Sequence, residues 1–346
     1  MKKRPLTRTA LGWLRRSLAA IVLLSMAGWG AMALYLGNSQ TSTTQTVLAG
    51  LFALAGLAAV ISQFMRRWRT PASFGFLALF AIVLVWWLNL EPSNERDWQT
   101  DVARLAYADI KGSLVTVHNI RNFAYRSETD YTPAYYDKTF DLSKLQSVDM
   151  IAVYWMGPAI AHTFLSFGFE GGDFLAISIE TRKEKQESYS TLNGFFRQYE
   201  LYYVVADERD VVRLRTNYRK DPPEDVYVYR LHGPIENARR LFLEYLHRVN
   251  KHKESPEFYN TLTDNCTTGI WMNTRINPGH PPLSWKILAS GYVPEYLSEA
   301  GRLVPDVPFV ELQRLGHVNA RAQAADQAVD FSRRIRIGVP GADVAK

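Results

Sequence analysis

Between Arg16 and Arg66 lie forty-nine consecutive residues without a charge, and no other feature constrains this chain as strongly. One membrane crossing takes roughly 20 apolar residues. The stretch is therefore too long for one span and suits two, joined by the polar turn GNSQTSTTQT at Gly37–Thr46. A third apolar run, Ala72 to Leu90, follows Arg66, Arg67 and Arg69 and ends with Trp86 and Trp87, residues at home at interfacial depth. The sequence predicts three transmembrane helices, near 17–36, 47–65 and 72–90.

Charge sets their orientation. The nine charges in residues 1–90 are all positive: Lys2, Lys3, Arg4, Arg8, Arg15, Arg16, Arg66, Arg67 and Arg69. Basic clusters stay on the cytoplasmic side, so the turn lies outside and the third helix delivers the last 256 residues outside the cytoplasm. Ala31-Met32-Ala33 also fits a signal-peptide cleavage site, but two further spans follow it. All 34 acidic residues lie beyond Leu90, against 31 of the 40 basic ones, a net of −3 there. The overall +6 is thus topogenic and leaves no electrostatic footprint for nucleic acid.

The organisation expected is a membrane domain at 1–90, an extracytoplasmic domain at 91–320 and a loosely attached Ala-, Arg- and Gln-rich tail at 321–346. The extracytoplasmic class is α+β, an antiparallel sheet with helices packed against it. Strand character appears at Asp149–Trp155, His162–Phe169, Phe174–Glu180, Tyr199–Ala206, Val211–Thr216 and Val226–Leu231. Gly171 and Gly172 in EGGD mark a hairpin between the second and third of these. Pro234 opens a helical pattern with apolar positions Ala238, Leu241, Phe242, Tyr245, Leu246 and Val249. A second helix begins at or just before Cys266, after the capping residues Asp264 and Asn265.

Cys266 is the only cysteine, so it has no internal disulfide partner: it is either a buried small hydrophobe or a thiol kept for reactivity. At a helix N-terminus, unpaired N–H groups and the dipole favour the thiolate, and the same groups can donate to an oxyanion beside it. A thiol nucleophile wants an imidazole. Of seven histidines, His247 and His252 look solvated on a helix end, His280 lies in the rigid loop NPGHPP and His317 near the tail. His118 and His232 stay open. His162 begins an apolar strand, where a histidine is either a satisfied core residue or a base. Antiparallel pairing through the EGGD turn brings Glu180 near His162, where a carboxylate can fix the imidazole; it can equally open a solvated strand end, ETRKEKQE. Asn265, Ser178 and Tyr259 are weaker candidates for polar support or oxyanion donation. No metal or cofactor is expected: HExxH, GxSxG and P-loop patterns are absent, and one cysteine cannot build a thiolate zinc site. Arg182, Arg197, Arg213 and Arg215 receive no role.

The segments AHTFLSFGFEGGDFLAISIETRKEKQESYS, FFRQYELYYVVADERDVVRLRTNYR and FYNTLTDNCTTGI closely resemble the Lnb-like N-terminal periplasmic domain family, over roughly residues 97–290. The resemblance implies a permuted papain-like, NlpC-type thiol fold in which the histidine strand precedes the cysteine helix. It implies His162 as base and Cys266 as nucleophile, a periplasmic location at the bacterial inner membrane, and a connection to lipoprotein N-acylation; Glu180 rests on the pairing argument alone. The favoured expectation is an acyltransferase that takes a fatty acyl group from a phospholipid or a lipoprotein's diacylglyceryl ester to an amine such as a lipoprotein N-terminus. Tyr135, Tyr136, Trp155, Phe164, Phe167, Phe195 and Phe196 could line an acyl groove or simply fill a core. The alternatives are a cell-envelope thiol peptidase or amidase using the same dyad, and a non-catalytic membrane-anchored binding module with Cys266 in its core.

Overall fold

The computed structural model describes residues 6–37 and 42–342 and divides into two compact units. The first comprises residues up to Ser93 together with Glu187–Tyr199. Its helices are α1 (Leu6–Leu36), α2 (Thr43–Ser62) and α3 (Arg69–Leu88). Each contains a span long and apolar enough to cross a membrane, namely Ala10–Leu36, Thr43–Ser62 and Arg69–Leu88. Part of the expected turn, residues 38–41, lies outside the described residues, as do Lys2, Lys3 and Arg4. Ser42 starts α2 with a reciprocal cap: its Oγ accepts from the Gln45 N–H at 3.2 Å while its own N–H donates to Gln45 Oε1 at 2.8 Å.

Where lipid replaces water, helices associate by close packing rather than by apolar burial. A Cβ on Gly56 would sit 2.3 Å from Ala27 Cβ, so α1 and α2 can touch only because that position has no side chain. Leu18, Ile21, Leu54, Phe74 and Ile82 point outward, an arrangement suited to lipid. Residues 187–199 pack onto these helices. Arg197 donates to the Trp87 and Leu88 carbonyls at 3.0 and 3.1 Å, satisfying the end of α3, and lies 4.2 Å over the Trp87 ring.

The second unit, Asn94–Gln186 with the residues from Glu200 on, is mixed α+β. Its strands are β1 (Tyr107–Lys111), β2 (Leu114–Arg121), the short pair β3 (Ala124–Tyr125) and β4 (Tyr131–Thr132), β5 (Tyr135–Asp141), β6 (Leu145–Tyr154), β7 (Ala161–Phe169), β8 (Asp173–Arg182), β9 (Glu200–Ala206) and, after helix α4 (Glu208–Arg213), β10 (Asp225–Arg230). The main sheet runs β1-β2-β9-β8-β7-β6-β10 with β5 also on β2, and every pair is antiparallel except the single β2–β9 contact. Helices α5 (Ile235–Glu254), α6 (Cys266–Thr274), α7 (Trp285–Leu288), α8 (Val293–Glu299), α9 (Phe309–Gly316), α10 (Asn319–Ala324) and α11 (Phe331–Arg334) follow.

The sheet is covered on both faces. Leu241, Phe242, Tyr245, Leu246 and Val249 of α5 pack on Met150, Leu165, Phe167 and Ile177. On the other face Val318, Ala322, Phe331, Ile335 and Val339 cover Ile151, Phe164, Val204 and Val228. The tail expected to hang loose from 321 is therefore part of the fold through Ala342, held by its spaced apolar residues and by the fully buried Arg336; residues 343–346 lie outside the described residues. Val211–Thr216 is also not a strand. Asp207 caps α4 by accepting from the Arg209 N–H at 2.9 Å, and a π-helical turn at Leu214–Tyr218 follows, so local capping overrides the β preference of Val211 and Val212. His252 is buried on the packed face of α5, 5.2 Å from the Tyr203 ring, and His317 bridges to Tyr227 rather than ending in a loose segment.

Candidate active site

Gly171 and Gly172 both take positive φ (89° and 86°), the conformation that lets two glycines reverse the chain between β7 and β8. The register set from that turn pairs Leu165 with Ile177. Continued toward the start of β7, it sets His162 across from Glu180. His162 Nε2 lies 3.4 Å from Glu180 Oε1 and 2.8 Å from Ser178 Oγ, and the Ser178 hydroxyl donates to Glu180 Oε1 at 2.9 Å. Serine thus bridges imidazole and carboxylate: its hydrogen goes to Glu180, so its lone pair receives the His162 Nε2–H. Nδ1 is left without an oxygen partner among the described residues.

Cys266 is the first residue of α6. The helix approaches β8 closely at Gly269, where a Cβ would stand 2.6 Å from Ile179 Cδ1, and this contact sets the cysteine beside the start of β7. The thiol and the His162 imidazole lie close enough for each to shift the other's titration. Burial pushes the thiol up, but the charge and hydrogen bond of His162, a hydrogen bond from the Thr163 backbone and one from the Thr267 hydroxyl outweigh it and bring the thiol down to about 7. Burial and Arg215 push His162 down, yet the Cys266 charge and the bonds to Cys266 and Glu180 leave it raised. Burial also pushes Glu180 up; the His162 hydrogen bond and charge, with Arg215 and Arg121, hold it well below the usual carboxylate range. The pattern favours thiolate, imidazolium and carboxylate together. Cys266 is partly exposed, so the sulfur is reachable.

Asn265 acts differently from an oxyanion donor. Its side-chain oxygen accepts from the Thr267 and Thr268 N–H groups, each at 2.9 Å, and its amide donates to the Thr261 carbonyl at 2.7 Å. Two of the first-turn donors expected to serve an oxyanion are therefore used by the cap, and Cys266's own N–H is the one left at the helix start. Asn265→Ala should cost about 1 kcal/mol by loss of the cap; thermal unfolding of Asn265→Ala against Asn265→Asp, which keeps the acceptor, checks this. Tyr259 is buried in the segment leading to α6. His118 lies apart between Asp137 and Asp109, at 2.7 and 3.2 Å, and His232 and His280 line a separate cavity of about 160 Å³ near the far end of α6.

Sequence reasoning missed Arg215. The π-helical turn carries it, its side chain is 6 % exposed, and it reaches Glu180 at 3.3 Å and Glu224 at 3.4 Å. Reading 211–216 as a strand hid it, and no local signal marks it. Arg182 and Arg213 bond backbone carbonyls. The proposed groove aromatics scatter: Phe164 and Phe167 are core, and Phe195 and Phe196 belong to the helical unit.

Residues 131–291 match the sequence model of the Lnb N-terminal periplasmic domain family. The match begins later than the 97 expected, leaving β1, β2 and β3 outside it, and contains His162, Ser178, Glu180, Arg215 and Cys266. Neither a curated protein nor a solved structure matches the chain. Membrane anchoring follows from the three span-length apolar helices joined to that domain. The likeness to the Lnb N-terminal periplasmic domain family thus covers residues 131–291, a little under half of the chain, and takes in the whole thiol–imidazole–carboxylate cluster.

Proposed function

We propose that this protein is a multi-pass bacterial inner-membrane enzyme, with a cytoplasmic N-terminus, that uses Cys266 to transfer a fatty acyl group at the periplasmic face. One observation carries the reading: a reachable thiol at a helix start is brought down to about 7 chiefly by an imidazole that is itself backed by a serine and a carboxylate. The order of parts, histidine strand before cysteine helix, supports a permuted papain-like arrangement.

The Cys266 thiolate attacks the carbonyl carbon of a phospholipid ester or a lipoprotein's diacylglyceryl ester. A C–S bond forms, and the carbonyl oxygen becomes an oxyanion that the Cys266 N–H can meet. The intermediate collapses with cleavage of the ester C–O bond, and the leaving alkoxide takes the proton of the His162 imidazolium. The thioester then meets an amine, most simply a lipoprotein N-terminus. His162 accepts the amine proton as the amide forms and the thiolate leaves. Ser178 and Glu180 hold the ring, and Arg215 holds Glu180.

The test is intact mass of detergent-solubilised wild type and Cys266→Ala after incubation with phospholipid or diacylated lipopeptide. A fatty-acyl increment on wild type alone, released by neutral hydroxylamine, is expected, with acyl transfer to an added amine. A readily labelled thiol that takes no acyl group from either donor would overturn the acyltransferase reading in favour of amide hydrolysis.

A further inference from the structure

The end of the sheet that carries His162 is also the end with the exposed apolar rim. The β6–β7 turn shows Met156 at 70 % and Ile160 at 41 % exposure; Leu283, Trp285 and Leu288 show 62, 62 and 52 %. The two segments are stitched together: the Ala161 N–H donates to Ser290 Oγ at 2.9 Å, the Gly291 N–H to the Ala159 carbonyl at 3.0 Å, and the Tyr154 hydroxyl to the Gly291 carbonyl at 2.7 Å. A Cβ on Gly291 would lie 2.0 Å from the Pro158 carbonyl oxygen, so only glycine permits this closeness. Ala161 immediately precedes His162. Lys286, the cation of this rim, is balanced by Glu295 and Glu299 at 3.0 and 2.7 Å.

Chain connectivity supplies the occupant. The chain passes to and from the helical unit at Ser93–Asn94, Gln186–Glu187 and Tyr199–Glu200. Within the sheet unit these points gather at one end: Arg182 closes β8, pairs with Glu200 of β9, and donates to Asn94 Oδ1 at 2.8 Å. Gln186 lies only four residues, at most about 14 Å of chain, past Arg182. The β6–β7 turn belongs to that same end, because β7 starts where β8 finishes. A membrane anchored this closely is the apolar surface such a rim meets, and indole and aliphatic side chains without net charge suit the headgroup–acyl boundary.

We propose that the rim formed by Met156, Ile160, Leu283, Trp285 and Leu288 docks into the bilayer interface and presents the His162 end of the sheet to lipid. The inference goes beyond the acyltransferase reading and holds whatever Cys266 does; the experiment therefore removes that thiol. Full-length Cys266→Ser chains carrying Met156→Cys, Trp285→Cys or Glu170→Cys are labelled with bimane in phospholipid vesicles. Glu170, in the β7–β8 turn, is about 26 Å along the strand from His162. Doxyl-labelled lipid should quench the labels at 156 and 285 at least about twofold more than the label at 170. Aqueous iodide should show the opposite order, in neutral and anionic vesicles alike. Equal quenching at all three positions overturns the proposal. So does shielding at 156 and 285 that ignores doxyl lipid and grows with protein density, which would mean a second copy covers the rim.

Discussion

In His162→Ala, the pH midpoint for reaction of Cys266 with a small neutral disulfide should move from about 7 to above the ordinary thiol value of 9.0. The direction follows from the balance at the sulfur. Burial alone pushes the thiol up, and His162 supplies the largest opposing effects, its charge and its hydrogen bond. At pH 7 the thiolate fraction falls from about half to about one per cent, while the remaining thiolate, being more basic, attacks about sixfold to tenfold faster. The rate at neutral pH therefore drops only about fivefold to eightfold, and the displaced midpoint is the cleaner signal. Glu180→Gln should move it less, because Glu180 reaches the sulfur only through the ring. The single cysteine makes the readout unambiguous. An unchanged midpoint in His162→Ala would remove His162 as the partner of the thiol, and with it the observation on which the proposed chemistry rests.

The parts of the fold legible in the sequence are those specified locally. A charge-free stretch with basic flanks can only be apolar helices, two glycines demand a tight turn, and Asn265 ahead of a polar-apolar run starts a helix. His162 could be paired with Glu180 because strand register is set by the turn that joins the strands. Arg215 was illegible because its position depends on a π-helical turn folding against a partner distant in sequence. The buried tail was illegible for a related reason: RRIRIG reads as a solvated basic segment until Asp149 and Glu208, far earlier in the chain, are known to lie beneath it. The role of Asn265 was half legible. Its type announced a cap, and a cap that accepts from two backbone N–H groups has spent its oxygen on the helix.

Arg336→Ala should lower the thermal unfolding temperature of the periplasmic unit by about 6–20 °C, the equivalent of about 3–5 kcal/mol for breaking a buried ion pair. The Arg336 side chain is fully buried, with Nε 2.8 Å from Asp149 Oδ2 and its two terminal nitrogens 2.7 and 2.6 Å from the Glu208 oxygens. Asp149 would keep Arg230, but Glu208 would keep only the Ser166 hydroxyl and become an uncompensated buried charge. Adding Glu208→Gln to Arg336→Met should therefore recover part of the loss, a non-additivity reserved for groups in contact. A change in Arg336→Ala of less than about 2 °C would show that the C-terminal segment contributes little to this unit. The same variant separates support from chemistry. Asp149 is in β6 and Ser166 in β7, four residues from His162, so the cluster braces the strand that carries the imidazole without touching it. Below its unfolding temperature, Arg336→Ala should retain the thiol midpoint near 7; a shifted midpoint would mean that the brace also sets the position of His162 against Cys266.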